Sequence, residues 1–116
     1  MSVFLAMTVA MGLAVPQDQP ADPNIDDLKC VATLAAALDA APADQQQLLS
    51  LGVIYFMGRI DGRSPGYDFS GQLRGLLDQG SSETETQAEI TRCSAILRDR
   101  GQAMIALGQE ISEDAQ

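Results

Sequence analysis

The chain has 116 residues, a length that favours a single domain, and it carries sixteen acidic and seven basic side chains for a net charge of −9. Nucleic acids and anionic lipid surfaces attract clustered Lys and Arg, so an acidic chain with scattered basic residues argues against both as partners. The sequence contains no histidine, which excludes a histidine general base, histidine-ligated zinc or haem, and histidine phosphotransfer.

The N-terminal segment is apolar. Residues 1–15, MSVFLAMTVAMGLAV, carry no charge and are too few to span a bilayer, which takes about 20 apolar residues. A short apolar run before the polar PQDQPADPN is typical of a secretory signal peptide, although the positively charged n-region is missing. We predict a signal peptide over 1–14, a flexible segment over 15–23 and a periplasmic protein without stable membrane insertion after cleavage. The alternative is an uncleaved N-terminus, disordered or packed on the core.

Four helical segments follow, and no stretch shows the alternation of a strand. The first is predicted over 25–39, with Asp22 or Asn24 as its cap and two aspartates at the positive end of its dipole. It ends before Pro42, because a proline biases its predecessor away from helical geometry. Its apolar stripe consists of Leu28, Val31, Ala35 and Leu38.

The second helix is predicted over 43–61. Its run LLSLGVIYFMG leaves almost no polar face, which is typical of a buried helix, so we expect it at the centre of the fold. Gly52 and Gly58 each cost about 1 kcal/mol in a helix interior relative to alanine. We expect both to allow the close approach of another helix.

The third helix is predicted over 68–79, with Asp68 as N-cap and Gly80 as the C-terminal stop. The fourth, over 83–112, opens with a capping box of Ser82 and Glu85, and a solvated tail over 113–116 follows it. Its apolar pattern approaches a heptad, formed by Ile90, Cys93, Leu97, Met104, Leu107 and Ile111. Beside this pattern runs a stripe of small residues, Ser94, Gly101 and Gly108, to which a neighbouring helix can pack closely.

Cys30 and Cys93 are the only cysteines. A lone pair in an exported protein predicts a disulfide, whereas two buried free thiols are the alternative for a cytosolic chain. The bond would place the first and last helices side by side, with the second helix against both. The predicted fold is therefore an all-α, four-helix domain over 24–112, with one disulfide linking the first and last helices.

The segment GRIDGRSPGYD joins the second and third helices, and Pro65 and Gly66 mark a turn there. Arg59 and Arg63 are four residues apart and share a helix face if the helix continues that far. We consider two interpretations: a partner-binding cluster of Arg59, Arg63 and Tyr67, or a helix end whose arginines pair with local aspartates and carbonyl groups.

No catalytic constellation is visible. Nothing in the sequence fixes two carboxylates across a cleft, the spacing of the cysteines excludes CxxC redox and zinc motifs, and there is no calcium-binding loop motif. We therefore expect a non-enzymatic protein with no catalytic residues, no metal and no cofactor. A small hydrolase is the alternative.

Two stretches, YFMGRIDGRSPGYDFSGQLRGLL and RCSAILRDRGQAMIALGQE, resemble small exported helical proteins of sphingomonad-type alphaproteobacteria, which implies location and fold but no activity. In architecture the chain is also distantly similar to HdeA-type periplasmic acid-stress chaperones. A Y-x-x-G helix and a later L-R helix resemble Tai-type immunity proteins, here at Tyr55–Gly58 and Leu73–Arg74. We expect an immunity-like or inhibitor-like module that binds a protein partner, with an acid-stress chaperone as the alternative. The oligomeric state stays open.

Overall fold

The computed structural model describes residues 22–115, which form four α-helices: α1 (Pro23–Ala40), α2 (Ala43–Arg63), α3 (Phe69–Gln79) and α4 (Glu83–Asp114). There is no strand among these residues, and the predicted all-α, four-helix class is confirmed. The predicted signal peptide over 1–14 lies outside the described residues, as does most of the segment over 15–23. No helix between residues 22 and 115 is both long and apolar enough to cross a membrane.

The helix ends follow local capping chemistry. The Asp22 carboxylate accepts a hydrogen bond from the Asn24 backbone N–H at 2.9 Å, and Asp68 accepts one from the Gly71 N–H at 3.0 Å. The capping box of Ser82 and Glu85 is present, with both reciprocal bonds formed. These bonds satisfy N–H groups that have no partner inside their helices.

α2 and α4 each extend two residues beyond their predicted C-terminal ends. α2 continues to Arg63, where the Ser64 N–H donates to the carbonyl of Ile60 at 2.8 Å, and the chain then turns at Gly66 with a φ of +78°. Tertiary contacts of the last turn offset the low helix propensity of the glycines before it. α4 continues to Asp114, so the predicted tail begins inside the helix.

The core is small and lies where α1 meets α2 and α4. It contains Leu28, Cys30, Val31, Leu34, Phe56, Ile60 and Cys93. The expectation that α2 is the central helix is wrong, because α1 is the helix that packs against each of the other three. Four of the seven core residues lie on α1, which gives it the continuous buried face that α2 lacks.

The apolar surface of α2 is only partly covered. Gly52, Phe56 and Ile60 are buried, whereas Leu48, Leu51 and Ile54 are each more than half exposed. The prediction of a helix buried on all sides is therefore wrong for the N-terminal half of α2. With three helices packed around α1, one side of α2 is covered and the other is left open.

The two glycines of α2 differ. A Cβ added at Gly52 would lie 2.9 Å from Leu97 Cδ1 and 3.0 Å from Leu34 Cδ1, so the close approach predicted there is confirmed. A Cβ added at Gly58 would meet nothing within 4 Å, so the same prediction is wrong at Gly58. Gly101 on α4 is equally open.

The predicted disulfide is confirmed. Cys30 and Cys93 are bonded, with their Cα atoms 5.6 Å apart and a sequence separation of 63 residues. Both side chains are fully buried, and the bond joins α1 to α4 as expected. In the chain-entropy model a loop of this length contributes about 4 kcal/mol to the free energy of unfolding.

Candidate functional site

The most unusual side chain in the core is a carboxylate. Asp27, on the second turn of α1, is 2% exposed, and it is the one charged residue buried between residues 22 and 115. Its Oδ2 lies 3.1 Å from Arg59 Nε and 2.5 Å from Arg63 Nη2. Because a buried carboxylate is stable only when paired and hydrogen-bonded, both arginines have a structural role here.

Arg63 ties the end of α2 to the start of α1. Its Nε donates to Asn24 Oδ1 at 2.9 Å, and its Nη2 donates to the Pro23 carbonyl at 3.0 Å. The Asn24 amide in turn donates to Ser64 Oγ at 2.9 Å. This network explains why α2 keeps its helical geometry to Arg63 despite two preceding glycines.

Arg59 also stacks on aromatic rings. Its guanidinium carbon lies 5.7 Å from the ring centroids of both Tyr55 and Phe56, within range for a cation–π interaction. The side chains of Arg59 and Arg63 remain 35% and 33% exposed. Each arginine therefore has one face committed to Asp27 and another that solvent reaches, so their role in binding a partner stays a prediction.

Tyr67 lies in the turn after α2 and is partly buried. Its ring packs edge-on against Phe69, with centroids 5.2 Å apart. Burial, followed by the nearby carboxylates of Asp22 and Asp68, raises the pKa of the Tyr67 hydroxyl. The predicted cluster is thus not one hydrogen-bonded unit among the described residues, since Arg59 and Arg63 bind Asp27 while Tyr67 packs on Phe69.

The disulfide has an acidic neighbour. The two sulfur atoms and a Glu89 carboxylate oxygen lie within 4.8 Å of one another, a grouping of donor types that also occurs in metal sites. Here the sulfurs are bonded to each other, and Glu89 accepts a hydrogen bond from Arg92 Nε at 3.1 Å. Arg92 also donates to the Asp26 carbonyl at 2.8 Å, so these groups join α4 to α1.

A shallow groove runs between α1, α3 and the start of α4. Its volume is about 290 Å³, just below the roughly 300–1,000 Å³ of small-molecule sites, and Lys29 is its basic residue. Of its carboxylates, Glu85 belongs to the capping box and Glu89 is paired with Arg92. The groove therefore presents no pair of free carboxylates for acid–base chemistry.

Two apolar faces are also accessible among the described residues. The first, on the N-terminal half of α2, consists of Leu48, Leu51 and Ile54 and is called the α2 face below. The second, on the C-terminal half of α4, consists of Met104, Leu107 and Ile111 and is called the α4 face. These side chains are between 48% and 72% exposed. Contiguous exposed apolar patches often mark surfaces that bind other proteins, whereas single exposed apolar residues are ordinary.

Sequence reasoning missed Asp27. The helix dipole accounts for an acidic residue at Asp26 but not for its buried neighbour. The available signal was position: Asp27 lies three, four and seven residues before Cys30, Val31 and Leu34, on the buried stripe of α1. A charge on a core stripe requires a partner, and the arginine pair of α2 had the spacing to supply it.

Comparison of the chain with protein-family models, with curated proteins and with solved structures finds no match in any of the three.

Proposed function

We propose that this chain is an exported, non-enzymatic module that binds a protein partner, in the manner of an immunity protein or inhibitor. The observation that carries the proposal is the α2 face, three large aliphatic side chains that lie within two helical turns and are each more than half exposed. No other part of the described chain covers them. Apolar groups at this density supply the buried centre of a protein–protein interface.

The charge around the α2 face indicates the charge of the partner's binding surface. Asp44 lies four residues before Leu48, and Asp61 lies seven residues after Ile54, so both carboxylates flank the face along one side of α2. The whole chain carries a net charge of −9. We therefore infer a basic protein with an apolar patch as the partner, since complementary charge accelerates encounter and suppresses wrong partners.

The proposed compartment is the periplasm. The disulfide between Cys30 and Cys93 supports an oxidising compartment, because such bonds are rare in cytosolic proteins. The apolar segment over 1–15 supports export by its composition. Intact mass of the protein recovered from periplasm would test cleavage and, with and without reductant, the disulfide.

The binding proposal is tested by affinity capture from periplasm with matched variants. We expect wild type to recover a stoichiometric protein with a basic isoelectric point and Leu51→Glu to lose it. Leu77→Glu is the control, because Leu77 is an equally exposed leucine on α3 and the substitution adds the same charge. Equal recovery by all three forms would contradict the α2 face as the binding surface.

The cluster of Arg59, Arg63 and Tyr67 is the second candidate surface for the same function. Replacing the arginines with alanine also unpairs buried Asp27, so loss of binding would not separate recognition from folding. Tyr67→Ala is the better test, because Tyr67 lies outside that ion cluster. Loss of the partner in Tyr67→Ala with unchanged helicity would support this surface over the α2 face.

A second candidate function is an acid-responsive chaperone, and the excess of acidic over basic side chains favours it. At a pH low enough to protonate every carboxylate, the side-chain charge changes from −9 to +7, because only the seven basic groups stay charged. Repulsion among these positive charges would oppose the compact fold, and opening would expose the core. Circular dichroism and suppression of aggregation at pH 2–3 would test this function, and a chain that stays folded and inactive there would remove it.

A further inference from the structure

The apolar stripe of α4 continues past the core without a change of face. Cys93 and Leu97 face the interior, where Cys93 is fully buried and Leu97 contacts the Gly52 position of α2. Met104 and Ile111 lie seven and fourteen residues after Leu97, and Leu107 lies fourteen after Cys93, so they share that side of the helix. The side of α4 that forms the core therefore continues outward as the α4 face.

The outer part of α4 has no cover within the described chain. Every residue from 101 to 115 is exposed, and the helical part of this stretch is about 21 Å long at 1.5 Å per residue. A helix of this length gains little from propensity alone, and most of its stability in proteins comes from packing an amphipathic face. The sequence supplies such a face here.

Charge is distributed unevenly along this outer part. Arg100 lies at the inner end, seven residues before Leu107 and so on the side of the α4 face, and its Nε donates to Tyr55 Oη at 3.4 Å. At the outer end Asp114 lies seven residues after Leu107 and Glu110 lies three after it, so both carboxylates lie on or beside that side. The last turn has no basic residue, so its carboxylates meet the negative end of the helix dipole.

We propose that a second copy of this chain covers the α4 face, with the two α4 helices antiparallel. In that arrangement Arg100 of each copy lies beside Glu110 and Asp114 of the other, and the two helix dipoles oppose. A parallel pair would place like charges side by side. The twofold axis makes the contact self-complementary, so both apolar faces are buried at once. The proposal does not rest on the α2 face or on its proposed partner.

The size of the contact sets its strength. A standard interface uses roughly 20–30 residues on each side, more than the outer part of α4 provides. We therefore expect a reversible dimer that dissociates in the micromolar range. The other occupants to be distinguished are the apolar segment over 1–15 of the same chain and a different protein.

Sedimentation velocity of the full chain over a concentration series tests the proposal through charge reversal. We expect Arg100→Glu to weaken self-association at least about tenfold, because every intermolecular pair becomes acidic. Glu110→Arg with Asp114→Arg should weaken it similarly. The chain with all three substitutions should return to within about threefold of wild type, because antiparallel pairing is then complementary again.

Three further variants separate packing from charge. Leu107→Glu should abolish the dimer, whereas Ala106→Glu, on the opposite side of α4, should retain it. Leu51→Glu should also retain it, which distinguishes this contact from the α2 face. Circular dichroism and intact mass of each variant verify helicity and the disulfide.

Several results would overturn the proposal. A wild-type chain that stays monomeric up to millimolar concentration would do so. This holds also if the chain dimerises once residues 1–15 are removed, because that segment would then be the occupant of the α4 face. If a variant with only the basic side or only the acidic side of the pairing reversed associates as tightly as wild type, antiparallel pairing is excluded. A dimer that survives Leu107→Glu would place the contact elsewhere.

Discussion

The two halves of α4 have the same apolar repeat and opposite surroundings. The inner half begins with a capping box, is bonded to α1 through Cys93, and is held to the Asp26 carbonyl by Arg92. In the outer half Met104, Leu107 and Ile111 occupy equivalent positions and face solvent. A heptad repeat therefore shows which side of a helix is apolar. Whether that side is buried depends on whether another element packs against it.

α2 shows the same contrast in the reverse direction along the chain. Its C-terminal half contributes Phe56 and Ile60 to the core and its two arginines to Asp27. Its N-terminal half carries the α2 face. The molecule therefore has a closed end, held by the disulfide and the buried ion cluster, and an open end, formed by the α2 and α4 faces.

Removing the disulfide should have the largest effect on the closed end. We expect Cys30→Ser with Cys93→Ser to lower the free energy of unfolding by about 4 kcal/mol, because the unfolded chain regains the entropy of a long loop. Urea unfolding of the variant and of wild type, each with and without reductant, measures this. Reductant should affect wild type alone, and a loss below about 1 kcal/mol would show that packing alone holds the closed end.

Unpairing Asp27 should have the next largest effect. We expect Arg59→Ala with Arg63→Ala to cost about 3 kcal/mol, because a buried carboxylate loses both partners. Asp27→Asn should cost less, since both guanidinium groups are about one-third exposed and reach water. Arg74→Ala on the exposed side of α3 is the control and should stay within about 0.5 kcal/mol of wild type by urea unfolding. An arginine variant as stable as that control would contradict a structural role for the ion cluster.

The glycines of α2 allow a finer comparison. Gly58→Ala should stabilise the protein by about 1 kcal/mol, because alanine favours the helix and its Cβ meets no neighbour. Gly52→Ala should lose that gain, because Leu97 and Leu34 must move to admit the methyl group. The difference between the two urea midpoints is the measurement, and equal midpoints would show that the packing at Gly52 is loose.

The smallest expected effect concerns the open end. Removing residues 101–116 should change the free energy of unfolding by less than about 0.5 kcal/mol at concentrations where the chain is monomeric, because the described part of this stretch is exposed. Phe56→Ala, which should cost about 3–5 kcal/mol, verifies that the assay responds to the core. A marked loss on truncation would mean that the outer part of α4 supports the closed end within one copy.

Local chemistry made most of the fold predictable. Asp68, Gly80 and the Ser82–Glu85 capping box place helix ends within a few residues of where they occur, because a cap acts over three or four residues. The disulfide was predictable because the chain has only two cysteines, so only one pairing is possible. These features need no knowledge of which helix neighbours which.

The central position of α1 and the candidate surfaces were less predictable. An apolar run such as LLSLGVIYFMG indicates that α2 packs, but it does not say on how many sides. The role of Arg59 and Arg63 depended on Asp27, more than thirty residues away in sequence. Pairings of this kind arise from the topology, and neither periodicity nor spacing within one helix contains them.

The Cys30–Cys93 bond has a topological consequence for proteolysis. It closes residues 30–93 into a covalent ring that holds all of α2 and α3, and α4 leaves this ring as an open arm. A single nick in the turn at Gly66 or at Gly80 would convert the chain into two fragments that stay linked until reduced. A protease that cuts once inside the ring would leave the helices tethered, whereas a cut in the arm would release a fragment outright.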